Sequence, residues 1–202
     1  MALSLYNKKR NFEETSEPSG KIKKSESKLT FVIQRHKASR LHYDFRLEMD
    51  GVLKSWAVPK GPSLNPKDKR LAMMVEDHPY AYKDFAGVIP EGNYGAGIVE
   101  IWDNGTYTDI DNSERGVAEK KLKAGLKSGN LKFQLFGKKL KGEFALVKLK
   151  GNGKDDNSWL LIKHNDKYAV DNEYSSEDET PKSSSINKWL NENKKPAKKK
   201  ST

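Results

Sequence analysis

The sequence contains no cysteine. That excludes a disulfide framework and any thiolate-bound metal, and it fits a reducing compartment. Histidine is sparse: the chain has four, so an imidazole ligand set must draw on His36, His42, His78 and His164. No apolar run approaches the ~20 residues of a membrane helix, and the N-terminus lacks the apolar core of a secretion signal. A cytoplasmic protein without a membrane span is expected. Apolar residues make up only 35% of the chain, against 33% charged. Much of that polarity sits at the ends, so the middle can still bury a core. One domain with polar tails follows: an arm over 1–28, a folded domain over 29–168, and a polar, then basic, tail over 169–202.

What the chain does have is positive charge. The formal net charge is +10, which favours anionic partners, nucleic acid or acidic lipid. The lysines after Asn193 add salt-sensitive attraction to nucleic acid.

One nine-residue stretch organises the rest. In Leu41–Met49, Leu41, Tyr43, Phe45, Leu47 and Met49 alternate with His42, Asp44, Arg46 and Glu48. Alternate side chains of a strand point to opposite faces, so this is a half-buried β-strand with one apolar face and one face of functional groups. Residues 29–34 read as the strand before it, and 35–40 as the connection. Asp50-Gly51 predicts a hairpin into a strand over 52–58, and Asn104-Gly105 predicts another between 98–102 and 106–110. Strands over 71–76, 131–135, 143–149 and 158–163 follow. A helix is expected over 114–128, with Ser113 as its N-cap and Gly129 at C′, and a short one over 185–193. The glycine-rich run Gly87–Gly97 has no Lys-Ser/Thr and no following helix, so it is read as turns at a barrel rim rather than a phosphate loop. The fold class is mainly β: an antiparallel barrel of about eight strands, one or two short helices and flexible polar tails.

His36, His42 and Asp44 supply two imidazoles and a carboxylate, a set that binds Mn²⁺, Fe²⁺ or Zn²⁺ and leaves positions open. The alternative is a surface hydrogen bond between His42 and Asp44 with His36 solvated, because His36 lies six residues upstream and needs a bend to return. Arg46 shares the face. Lys60, Arg70 and His78 add cations that a phosphoryl group needs, or are solvated charges and a turn histidine. In the arm, Arg10, Asn11, Phe12 and Glu17 either move freely or fold back over a site. Metal plus phosphate on a basic β scaffold competes with a facial-triad oxygenase, which leaves the cations unexplained. It also competes with a noncatalytic nucleic-acid-binding barrel, which leaves the His/Asp/Arg face without purpose.

Several segments together are distinctive. They are Phe31–Glu48, Leu53–Ser63, Val75–Pro79, Ile89–Gly97, Ile101–Tyr107 and Trp159–Lys163. In order, over roughly residues 8–168, they resemble the phosphoesterase domain of bacterial DNA ligase D and its free-standing relatives. The resemblance implies a β-barrel and a manganese-dependent 3′-end-processing enzyme for end joining of double-strand breaks. Co²⁺ and Zn²⁺ are other metals of the same kind. Such an enzyme removes a 3′-terminal ribonucleoside to leave a 3′-phosphate, then hydrolyses that phosphate to a 3′-hydroxyl. It implies His36, His42 and Asp44 as metal ligands and Arg46, His78 and Arg10 as phosphate contacts. Lys60, Arg70, Glu76 and Tyr82 become further active-site residues, and Phe12 and Glu17 contributors from the arm. Asn11 stands where the family carries Asp. The chain has no room for ligase or polymerase modules, so a free-standing, monomeric, nucleoid-associated member is expected. A ligase, polymerase or end-binding protein would act in trans on its primer-template substrate.

Overall fold

The computed structural model describes residues 3–23, 25, 27–150 and 157–193. The elements in chain order are α1 (Ser4–Lys8), β1 (Leu29–Lys37), β2 (Leu41–Met49), β3 (Val52–Val58), β4 (Lys69–Pro79), β5 (Gly87–Ile89) and β6 (Gly97–Thr108). They continue with α2 (Arg115–Ser128), β7 (Asn130–Gly137), β8 (Lys141–Lys148), β9 (Ser158–Lys163) and α3 (Ser185–Glu192). Every strand pairing is antiparallel. The strand order β1-β2-β3-β4-β9-β8-β7-β6 closes on itself through β1–β6, and β5 adds to the early half of β6. The result is a closed eight-stranded barrel.

Alternation fills its interior. Phe31 and Ile33 of β1, Tyr43, Phe45 and Leu47 of β2, Trp56 of β3, Phe133 of β7 and Trp159 of β9 form one buried cluster. Each such side chain contributes roughly 1.5–3 kcal/mol by leaving water. Ala118 and Leu122, four residues apart on α2, join it. The β2–β3 turn is of type I′, with φ of 53° at Asp50 and 77° at Gly51.

Three expectations need correction, and one open alternative is decided. Asn104-Gly105 does not turn: it lies within the uninterrupted strand β6. There, a Cβ on Gly105 would collide with the Phe136 carbonyl of β7, so the glycine serves close strand approach. Ser113 does not cap α2. Its backbone N–H and hydroxyl both donate to Asp109, and Glu114 occupies the cap position without a side-chain bond. Residues 169–193 are not a flexible tail. Ser176 and Ile186 are buried, and Ser184 caps α3 by accepting from the Asn187 N–H. Nor does the described part of the arm lie free. Leu3 and Tyr6 are buried in a second cluster with Val32, Leu53, Tyr82, Phe85 and Ile89 on the outside of the barrel. The basic run from Lys194 lies outside the described residues. Among the described residues no helix is long and apolar enough to cross a membrane.

Candidate metal and phosphate site

The polar face of β2 points outward, under the arm. No bend is needed to bring His36 to it. β1 runs on to Lys37, and the β1–β2 ladder sets His36 directly opposite His42 and Gln34 opposite Asp44. The His36 and His42 ring centroids are 4.8 Å apart. His36 Nδ1 lies 3.5 Å from Asp44 Oδ2, and His42 Nε2 lies 3.7 Å from Asp44 Oδ1.

Two backbone carbonyls fix the ring protons. His36 Nε2 sits 2.9 Å from the Gly95 carbonyl, and His42 Nδ1 sits 3.0 Å from the Arg40 carbonyl. A carbonyl only accepts, so each of those nitrogens carries its proton. The lone pairs of His36 Nδ1 and His42 Nε2 then face the Asp44 carboxylate, all within 4.8 Å. Three acceptors turned on one another repel unless a cation lies between them. The donor set, N₂O with both outer N–H groups anchored, fits a first-row divalent metal. Spacings of 3.5 and 3.7 Å are close to the ~3.0–3.4 Å edges expected for bonds of ~2.1 Å. Burial pushes the Asp44 carboxyl up. The Arg46 guanidinium next to it outweighs this and holds it well below the ordinary carboxylate range.

Arg46 is buried and steered on two sides. Its Nε donates to Gln34 Oε1 at 2.7 Å and its Nη2 to Asp44 Oδ2 at 3.1 Å. Gln34 is itself locked, donating to the carbonyls of Tyr82 and Phe85. The guanidinium carbon sits 4.9 Å from the centre of the Tyr82 ring. The third arm, Nη1, is buried and has no hydrogen-bond partner among the described residues.

The arm supplies the facing wall. Arg10 lies 3.8 Å over the Tyr6 ring, and its Nε donates to Glu17 Oε1 at 2.9 Å. Glu17 also accepts from the Tyr82 hydroxyl at 2.9 Å and from Thr15. Arg10 Nη1 reaches Glu76 at 3.4 Å, and Nη2 donates to His78 Nε2 at 3.2 Å. His78 Nδ1 donates to the Glu76 carbonyl and its Nε2 accepts from Arg10, which can only donate, so the ring is neutral. Burial, then the positive charges of Arg46 and Arg10, push its pKa well below the usual imidazole value. His78 therefore orients Arg10 and is not itself a cation.

Together Arg10, His36, His42, Asp44, Arg46 and Glu76, with His78, Tyr82 and Tyr94, line a cavity of about 320 Å³. Of the residues expected from sequence, Phe12 packs at the edge of the outer cluster. Lys60 and Arg70 are not brought here. They line a separate cavity with Asp68, Glu173 and Tyr174, and Arg70 donates to Asp68 and the Tyr174 carbonyl. Sequence reading missed Gln34, Tyr6, Lys9, Tyr94 and Gly95. Gln34 was within reach: it alternates with His36 on the same strand, the period-two signal that marked β2. Lys9 donates to Glu76 at 3.1 Å and to the Tyr94 hydroxyl at 3.2 Å, contacts that no local pattern announces.

Residues 34–148 match the family model of the DNA ligase D 3′-phosphoesterase domain. The chain belongs to that family. It is 49% identical over 81% of its length to the multifunctional non-homologous end joining protein LigD of Pseudomonas aeruginosa, of which it covers 19%. It is 41% identical over 81% of its length to the protein of the same name from Mycolicibacterium smegmatis, covering 21% of that protein. For the Mycobacterium bovis counterpart the values are 42%, 74% and 19%. The chain thus spans about a fifth of the length of these curated relatives. Membership in a phosphoesterase family removes the oxygenase alternative.

Proposed function

We propose that this phosphoesterase processes DNA 3′ ends with a divalent metal, manganese by preference, held by His36, His42 and Asp44. The observation that carries the reading is the buried, unpartnered Nη1 of Arg46 beside that triad. A buried donor without an acceptor costs about 1–3 kcal/mol, and a phosphoryl oxygen is the acceptor that best suits a guanidinium arm.

A bound divalent cation supplies Lewis-acid polarisation of the phosphoryl group. The chain's own residues do the rest. Arg46 Nη1 donates to a phosphoryl oxygen, while Gln34 and Asp44 keep the guanidinium from rotating. Arg10 presents positive charge from the opposite wall, set by Glu17 and by the lone pair of His78 Nε2. Water adds to phosphorus, the bond to the 3′ oxygen breaks, one proton of the water ends on that oxygen, and inorganic phosphate and a 3′-hydroxyl result. Both arginines stabilise the charge that accumulates on the non-bridging oxygens. At a 3′-terminal ribonucleoside the same attack breaks the bond from phosphorus to the nucleoside's 5′ oxygen, which takes the proton and leaves with the nucleoside, and the 3′-phosphate remains for the second step. The names of the relatives favour end joining in DNA double-strand break repair as the setting, with a ligase or polymerase using the repaired end.

The test is a gel assay on two primer-templates, one ending in a 3′-phosphate and one in a single ribonucleotide, with Mn²⁺, with chelator, and with His42→Ala. Phosphate loss that needs both metal and His42 is expected. No change of either substrate under any metal overturns the proposal and favours a noncatalytic binding barrel.

A further inference from the structure

We propose that residues 170–187 form a strap that positions the metal-ligand hairpin from behind, with Glu177 as the positioning residue. The inference rests on the metal reading of His36, His42 and Asp44. The strap lies beyond the residues that match the family model, which end at 148.

The strap is bonded along its length. It runs beside the loop after β3: the Val170 N–H donates to the Leu64 carbonyl, Asn65 to the Asn172 carbonyl and Arg70 to the Tyr174 carbonyl. The Ser176 hydroxyl then donates to the Pro62 carbonyl at 2.6 Å. A Cβ on Gly61 would collide with Ser176, so glycine lets the strap seat this closely. Next the strap reaches the barrel wall, where the Trp102 indole donates to Ser176 O and Thr180 Oγ1. α2 packs near the Asp50 end of β2, through Glu119 and Lys123. The strap therefore holds the other end, where the metal ligands are.

Glu177 makes the decisive contacts. It accepts from Arg35 Nε at 2.9 Å and Nη2 at 2.6 Å, a bidentate pair, and from the Tyr43 hydroxyl at 2.5 Å. Arg35 and Tyr43 are partners across the β1–β2 ladder. Arg35 directly precedes His36, and Tyr43 lies between His42 and Asp44. One carboxylate thus ties together the two backbone positions from which the ligands spring. Strand alternation sends those ligands to the opposite face, so Glu177 acts through the backbone alone. Arg35 is fully buried and gathers further partners: Glu100 on β6, and Ser184 and Asn187 at the start of α3. The Glu177 stretch, β6 and the start of α3 therefore meet on one guanidinium behind the hairpin. A metal site tolerates displacements of well under ~1 Å in its ligands, and loss of an outer-shell partner commonly weakens metal binding about 10–100-fold.

The test measures Mn²⁺ affinity of the full chain by titrating the free-ion electron paramagnetic resonance signal, with no substrate present. Glu177→Gln is expected to weaken binding about 10–100-fold, and Tyr43→Phe, which keeps the Arg35 pair, to weaken it less. Leu122→Ala on α2, in the same core but remote from the hairpin, serves as the destabilised control and should bind as the wild type does. Wild-type affinity in Glu177→Gln, or an equal loss in Leu122→Ala, overturns the inference. If the wild type and His42→Ala bind alike, the metal reading itself fails and the positioning role falls with it.

Discussion

His36 and His42 face each other across a β-hairpin, and each spends its outward N–H on a carbonyl, Gly95 for one and Arg40 for the other. Both lone pairs are thereby committed to the same point beside Asp44. Replacing Gly95 would disturb this because its φ is 79°, in the left-handed region that glycine tolerates best. The rim glycines read as turn formers thus also aim a ligand.

His78 should stay neutral in the folded protein. Burial first, then Arg46 and Arg10, hold its pKa well below the ordinary value. In the unfolded chain it protonates as the pH falls through ~6.5. The unfolded state then binds the extra proton, so this contribution to stability is intact above that pH and shrinks below it, by up to about 1.4 kcal/mol per pH unit. Urea unfolding between pH 7.5 and 5.5 should show a steeper loss for the wild type than for His78→Gln. Equal slopes would remove His78 as the cause.

Glu17→Gln should release the arm. Arg10 and Glu17 are paired with side chains 4% and 0% exposed. Breaking one partner of such a pair costs about 3–5 kcal/mol, because the other charge stays buried. The arm packs outside the barrel core, so local undocking is expected before global unfolding. Limited proteolysis should cut within residues 3–23 while the barrel stays intact. An arm as protected as in the wild type would sink this prediction.

Gly105→Ala should destabilise by about 1–3 kcal/mol, since its methyl group must push β6 and β7 apart. Gly116→Ala, where a Cβ meets nothing within 4 Å, should be neutral or mildly stabilising. Denaturant midpoints of the two variants decide it, and similar midpoints would contradict the close-approach role.

That glycine also shows where sequence reading stops. Asp50-Gly51 and Asn104-Gly105 carry the same local turn signal. In the first case the chain turns; in the second the glycine answers to Phe136, a neighbour only the closed barrel brings near. The barrel itself was legible because its strands alternate, and so was the functional face of β2. Docking of the arm was open from sequence, because its apolar anchors Leu3, Tyr6 and Phe12 are scattered through a polar segment. Of the strap only its end at α3 was legible; residues 170–184 escaped, because their acidic and serine-rich composition imitates a solvated tail, while Glu177 answers a buried arginine 142 residues away. Lys60 and Arg70 were grouped with the site on charge and on the resemblance, and that same strap lines their separate cavity.

Arg46→Lys separates charge from geometry. The guanidinium uses one arm on Gln34, one on Asp44, and keeps Nη1 for a ligand. An ammonium has the same charge but no planar fork, so it cannot satisfy both neighbours and still aim a third donor. The metal ligands themselves are untouched, so losing one outer partner of Asp44 should cost Mn²⁺ affinity no more than about 10–100-fold, and turnover is compared at saturating Mn²⁺. Turnover of a 3′-phosphate should fall about 10²–10³-fold, the usual consequence of losing one preorganised donor to a developing oxyanion. Because Asp44 also accepts from Arg46, the two readouts must be taken on the same preparation: metal affinity by spin-signal titration and phosphate release by gel. A lysine variant with wild-type turnover would mean that charge alone suffices, and that the unpartnered Nη1 is not the phosphate contact.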